Sequence, residues 1–229
     1  MNRIWWFGPI WPNVPWMQGF GRYCRYTNAE EMTRARSDSQ NFSPVNFPIA
    51  RLELTIEQFS LDCFCWDAYI LVSQDLRNAI ALNTPDVQYF PVDASLSAPL
   101  PRSKNYMIMR VPVTEEMSDL DRSDYHYTEA IGWKGTLFWN RIAIKRDFQP
   151  KHEMFRDSFF SRLILCTDKC AVSILRSGCT GMQFSDLEHC RRRNRSRFRS
   201  LRGLEEETRG RNQEIVRIRL VQEMAPPQG

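Results

Sequence analysis

Two stretches of this chain repeat one pattern of apolar and polar positions. The first runs Leu71-Val72-Ser73-Gln74-Asp75-Leu76-Arg77-Asn78-Ala79-Ile80 and is followed by Val87-Gln88-Tyr89-Phe90-Pro91. The second runs Leu165-Cys166-Thr167-Asp168-Lys169-Cys170-Ala171-Val172-Ser173-Ile174 and is followed by Met182-Gln183-Phe184. In each, an apolar pair precedes a hydroxyl residue, with an apolar residue three positions later and another four beyond it. A polar break then leads to an apolar–Gln–aromatic triplet, which starts 14 positions after Ser73 and 15 after Thr167. The repeat points to one duplicated building block, not to a catalytic motif.

Local physics turns the block into strand, capped helix, strand. Leu71-Val72 and Leu165-Cys166 read as ends of short buried strands. Ser73 and Thr167 are good N-caps, because a short side-chain oxygen can accept from an orphan amide of the first turn. Asp168 lies in that first turn, where negative charge suits the helix dipole. Leu76, Ala79 and Ile80 share a helical face, as do Cys170, Ser173 and Ile174. Gly178 stands where a left-handed residue ends the second helix, and Asn83-Thr84-Pro85 stops the first. The returning strands point Val87 with Tyr89, and Met182 with Phe184, to one side.

Elsewhere the pattern is mostly strand. Leu52 to Ile56 alternates strictly, Cys63 to Val72 leads into the first block, and Tyr106 to Val113 is long and apolar. Trp133 to Ile144 places Leu137, Trp139, Arg141 and Ala143 on one side and Phe138, Asn140, Ile142 and Ile144 on the other. Asn28 to Arg36 reads as a short helix. Ser37 to Pro48, Asp93 to Lys104 and Asp147 to His152 read as loop or turn. Glu115 to Asp124 reads as a solvated acidic loop, with a contact surface for a basic partner as the sharper alternative. Residues 1–26 hold Trp5, Trp6, Trp11 and Trp16, with Pro9, Pro12 and Pro15 between them. Prolines at that spacing favour extended chain. The arm either lies irregularly over the protein's own core, which the risk of exposing so much aromatic surface favours, or docks on a partner.

A length of 229 residues with 42% hydrophobic and 12% aromatic content suits a folded globular protein. The division expected is an aromatic arm and loop over 1–50, an α+β domain over 51–189 and a basic tail over 190–229. The net charge of +4 hides a polarity, because the tail carries 11 Arg and 5 Glu, a net of +6, leaving −2 for the rest. Nucleic-acid binding therefore has support only from the tail, where Phe198 alone is interleaved among the arginines of 191–202. Ile215 to Val221 reads as an edge strand or amphipathic helix. The odd count of 7 Cys lacks a disulfide spacing and favours a reducing cytoplasm. No apolar run is long enough for a membrane span, and the N-terminus does not read as a signal peptide.

Candidate chemistry adds little. The chain has 3 His, namely His126, His152 and His189, none in a catalytic signature. Cys166, Cys170 and the pair His189-Cys190 give a weak zinc spacing. The repeat gives a better account, since these Cys fill the apolar places of Val72 and Leu76. No Gly-rich phosphate loop is visible. The expectation is no catalytic residue, no cofactor and no metal.

The order of these pieces resembles a bacterial immunity-protein family of polymorphic toxin systems, numbered eleven in its series. That family carries an F-V-S-x-x-L-x-x-x-[LI] element and often closes with L-T-G-[VL]-x-F. Cys179-Thr180-Gly181-Met182-Gln183-Phe184 matches the ending closely. Between the copies, Tyr106 to Val111 and Leu120-Asp121-Arg122-Ser123 stand where the family has an apolar strand and a Leu-Asp segment with a Ser. Ile142-Ala143-Ile144 and Phe155-Arg156 match later pieces, so the resemblance covers roughly residues 60 to 188. Two Cys replace large aliphatics in the second copy, and both chain ends are foreign to the pattern.

The resemblance implies an α+β fold, a twisted mostly antiparallel sheet with two short helices from the repeated unit. It also implies a cytoplasmic, non-enzymatic protein that neutralises a cognate toxin by stoichiometric occlusion. Candidate contact residues for that partner are Asp119, Asp121, Arg122, Trp133 and Trp139; both Trp also fit ordinary core packing. The alternative is a nucleic-acid-associated protein acting through the Arg-rich tail.

Overall fold

The computed structural model describes residues 3–9, 24–37, 47–54, 61–66, 69–95, 105–127 and 137–187. Its first elements are β1 (Ile4–Pro9), β2 (Cys24–Tyr26), α1 (Ala29–Ser37), β3 (Ala50–Leu54) and β4 (Cys63–Trp66). The first repeated block follows as β5 (Tyr69–Ser73), α2 (Gln74–Ala81) and β6 (Gln88–Asp93). Then come β7 (Tyr106–Arg110), β8 (Thr114–Glu115), β9 (Ser118–Tyr127), β10 (Leu137–Ile144) and β11 (Met154–Asp157). The second block closes the described chain as β12 (Ile164–Thr167), α3 (Asp168–Arg176) and β13 (Met182–Asp186).

The caps form as the sequence requires. Ser73 Oγ accepts from Leu76 N at 3.2 Å, and Thr167 Oγ1 accepts from Cys170 N at 3.4 Å. Each hydroxyl also donates to an acid one residue before β4 or β11: Ser73 to Asp62 at 2.8 Å, Thr167 to the Glu153 carboxylate. The same pairs share a backbone bond, Ser73 N to Asp62 O at 2.7 Å and Thr167 N to Glu153 O at 3.0 Å. Gly178 ends α3 with φ +73°, and Thr84 ends α2 by donating to Ile80 O at 2.7 Å.

The strands of each block are not neighbours in their sheet. β5 and β6 both run antiparallel to β7, which lies between them, and β4 flanks β5. In the second copy, β12 and β13 both run antiparallel to β1, and β11 flanks β12. The unit is therefore four strands and a helix, and its middle strand comes from downstream in one copy and from the start of the chain in the other. Registers agree across copies. Tyr89 faces Met109, which faces Ile70, while Phe184 faces Phe7, which faces Ile164. Phe64 opposite Leu71 corresponds to Phe155 opposite Leu165. The aromatic segment Ile4–Pro9 is thus a regular strand inside a sheet, with Trp5 and Phe7 in the core. Trp11 and Trp16 lie outside the described residues.

The two sheets, of five and six strands, order as β13-β1-β12-β11-β8 and β2-β3-β6-β7-β5-β4. Among the described residues the parallel pairs are β3 with β6 and β8 with β11, and the other pairs are antiparallel. α2 and α3 share a core between the sheets: Leu76 and Ile80 from one, Cys170 and Ile174 from the other, with Val72, Met109, Cys166 and Phe184. The far face of the first copy is covered by Met32 of α1 with Leu52 and Leu54 of β3. The far face of the second is covered by the β9–β10 hairpin through Ile142, Leu120 and Trp139. Sheet pairing crosses residue 51, since β1 and β2 bind strands of the segment that follows.

Three local readings change. Cys63 to Val72 is a hairpin of two strands. Leu52 to Ile56 starts earlier, at Ala50; Ile56 lies outside the described residues, as do most of Ser37–Pro48 and of Asp93–Lys104. Most of Glu115 to Asp124 is strand, in β8 and β9, not a free loop, because Met117 and Ser118 are buried and Ser118 Oγ donates to Asp157 at 2.7 Å.

One contact locks the copies together. The Thr180-Gly181 turn approaches β4 so closely that a Cβ on Gly181, at φ +87°, would stand 2.2 Å from Cys63 O. Gly178 has a similar φ with nothing within 4 Å. Gly181→Ala should therefore destabilise by about 3 kcal/mol, combining left-handed strain with a backbone clash. Gly178→Ala should cost about 1 kcal/mol, from strain alone. Urea unfolding of both variants checks the order.

Candidate partner-binding surface

The sequence-proposed contact residues fall mainly on the β9–β10 hairpin. Its pairing is irregular. Asp119 pairs with Ala143 and Asp124 with Arg141, so residues 120–123 stand opposite Ile142 alone. A second irregularity lies between Trp139 and Arg141. Such insertions reverse the side to which later residues point. That is why Trp139 and Ile142, three apart, both pack on the same cluster, against the strict alternation read from sequence.

The bulge is stapled by its own polar groups. Asp119 Oδ2 accepts from Arg122 Nε at 2.6 Å, and Asp119 O accepts from Ser123 Oγ at 2.6 Å. Ser123 Oγ accepts from Ala143 N at 2.9 Å, Arg141 reaches Arg122 O at 2.9 Å, and the Arg122 guanidinium donates to Ile144 O. The Arg122 side chain stays 43% exposed and that of Asp119 25%. Asp121 is exposed. The hydrogen bond from the Arg122 side chain is the main cause that holds the Asp119 carboxyl below its ordinary value.

The structure brings Asp119, Asp121 and Arg122 together on the bulge. Trp139 is half-buried, edge-on to Trp6 of β1 with ring centroids 5.9 Å apart. Trp133 lies outside the described residues, as do the Arg-rich tail, Ile215–Val221 and the pair His189-Cys190. Sequence reasoning missed Phe159, which is 36% exposed and stacks edge-on with Tyr125 of β9 at 5.7 Å. Its signal was the Ser158-Phe159-Phe160-Ser161 pattern, in which Phe160 is buried and its neighbour is left outside.

A polar cleft of about 620 Å³ lies beside α3, lined by Asn83, Lys151, His152, Glu153, Asp168 and Arg176 among others. Several of its polar groups are engaged in structural bonds. His152 Nδ1 lies 2.8 Å from Glu115 Oε1, and Asp168 accepts from Trp5 Nε1 at 2.7 Å. The Thr167 hydroxyl is committed to the α3 cap and to Glu153.

Cys166 and Cys170 are fully buried in the shared core, and no metal-holding group of His, Cys, Asp and Glu occurs among the described residues. Burial foremost raises the Cys63 and Cys166 thiols, with Cys65 and Asp62 adding to the first and a Cys170 hydrogen bond to the second. No helix among the described residues is long and apolar enough to cross a membrane.

A model of the immunity protein family (Imm11) matches residues 41–189, well over half the chain. The chain belongs to this family of immunity proteins, and the bulged hairpin and the cleft are surfaces of such a protein. No curated protein matches it.

Two outcomes follow for this surface. A carbon-detected titration should place the Asp119 midpoint below the usual Asp value, and Arg122→Ala should raise it. The sign is that of a depressed carboxylate: the clamp is intact above the ordinary Asp range and lost as pH falls through the lowered value. In peptide-resolved alkylation at neutral pH, Cys179, the half-exposed thiol, should react before Cys63, Cys65, Cys166 and Cys170.

Proposed function

We propose that this protein neutralises a cognate bacterial toxin in the cytoplasm by binding it one to one and covering a surface the toxin needs. Membership of an immunity family carries the reading. The bulged hairpin supports it as the contact, because Asp121 and Arg122 project from a rigid, stapled segment. Side chains held in place before binding lose less entropy on association. Phe159 and Tyr125 supply aromatic surface beside them, of the kind that anchors interfaces. A tight complex would bury about 1,200–2,000 Å² in total.

Co-expression with the product of the neighbouring gene tests this. Growth should be rescued by the chain and weakened by Asp121→Lys with Phe159→Ala, at two exposed positions, with the fold of the double variant checked by circular dichroism. Truncation at 189 should leave rescue intact; its loss would move the action to the basic tail. Toxicity without rescue removes that partner.

A further inference from the structure

The two copies treat their equivalent acids differently. Asp62, in the first, is closed over and 7% exposed. One oxygen takes the Ser73 hydroxyl; the other takes Thr180 N at 2.8 Å and Thr180 Oγ1 at 3.3 Å. Asp62 N and Cys63 N both donate to Thr180 O, at 3.0 and 3.1 Å, so a Thr-Gly turn is gripped by side chain and backbone together. Glu153 is the counterpart in the second copy. One oxygen takes the Thr167 hydroxyl in the same way, but the other faces Lys169 Nζ at 3.4 Å, and the side chain is 29% exposed. Among the described residues no turn of the first copy covers it. The cleft opens there instead, between Asn83 at the end of α2 and Glu153.

The rim of this cleft carries unspent charge. Lys151, Lys169 and Arg176 line it with Glu153 and Asp168, and both carboxylates already have internal partners. The side chains of Lys151 and Arg176 have no ion pair among the described residues. Leu82, next to Asn83 in the chain, is 81% exposed.

We propose that this cleft is a socket for a tight turn of a partner polypeptide, a Ser or Thr followed by Gly and flanked by acidic residues. The inference rests on the chain acting through a protein partner. The Glu153 oxygen that faces Lys169 would accept the turn's amide and hydroxyl, as Asp62 accepts those of Thr180. Lys169 gives way easily, since its pair with Glu153 is exposed. Lys151 and Arg176 meet the acidic flanks, and Leu82 provides an apolar edge. The cleft lies within the ~300–1,000 Å³ usual for binding pockets.

The test is an NMR titration of the full-length isotope-labelled chain with a backbone-cyclised peptide carrying Asp-Thr-Gly-Glu. Saturable shifts should centre on Asn83, Glu153 and Lys169. A control peptide carrying Asp-Val-Ala-Glu should bind about tenfold more weakly, having lost buried polar contacts. Lys151→Ala and Arg176→Ala, both on the surface, should each weaken binding about threefold. Glu153→Gln keeps an acceptor for Thr167 but presents a donor to the turn, and should abolish binding. Should it fail to fold, the two cation variants still decide. Absence of saturable shifts, equal affinity for the control, or indifference to both cation variants overturns the socket. Failure of the peptide alongside intact toxin rescue removes the socket alone. A binding socket in a chain that rescues nothing leaves it standing and removes the proposed toxin partner.

Discussion

Helices of eight and nine residues have almost no stability of their own in water. α2 and α3 persist because each buries its apolar stripe against the other and against both sheets at once. Leu76 and Ile80 meet Cys170 and Ile174 in one core, and Asn83 Nδ2 donates to Ser173 Oγ at 2.9 Å across the pair. Neither helix would find that cover in one copy alone. The doubled unit is therefore a requirement of the fold, and the caps held by Asp62 and Glu153 fix where each helix begins.

That requirement explains the aromatic start of the chain. In the second copy the place between β12 and β13 is filled by Ile4–Pro9, from the start of the chain. Both faces of this strand are buried, one by the shared core and the other by the β9–β10 hairpin, so nearly every residue in it is apolar. A half-exposed strand would alternate; one covered on both faces reads as a continuous apolar run. Trp6 against Trp139 then couples the start of the chain to the hairpin that carries the projecting charges. The matched family span begins at residue 41 and so leaves out the strand that completes the second copy.

The repeated block was legible because its signals are local: a cap, two helical spacings and a triplet. Ser73, Thr167 and Gly178 act as their chemistry dictates. What was not legible depends on distant pairing. Nothing in Leu71 or Leu165 says that a third strand will separate the two strands of each unit. The hairpin bulge was also hidden, since residues 120–123 read as polar loop until Ser123 and Arg122 are seen bonded to the opposite strand. For the same reason Trp139 was assigned to a side by strict alternation, which an irregular register does not obey. Of the proposed contact residues, Asp121 and Arg122 project from the bulge, while Asp119 serves mainly to hold Arg122. The asymmetry between Asp62 and Glu153 has no sequence signature, because it lies in how one copy's turn meets the other copy's strand.

The proposed action is occlusion by a rigid surface, with no turnover. Titration of the cognate toxin's activity with purified chain tests that most directly. The account predicts a linear loss of activity that ends at one chain per toxin, with the two recovered together as a complex. Complete neutralisation by far less than one chain per toxin, with no complex recovered, would contradict it.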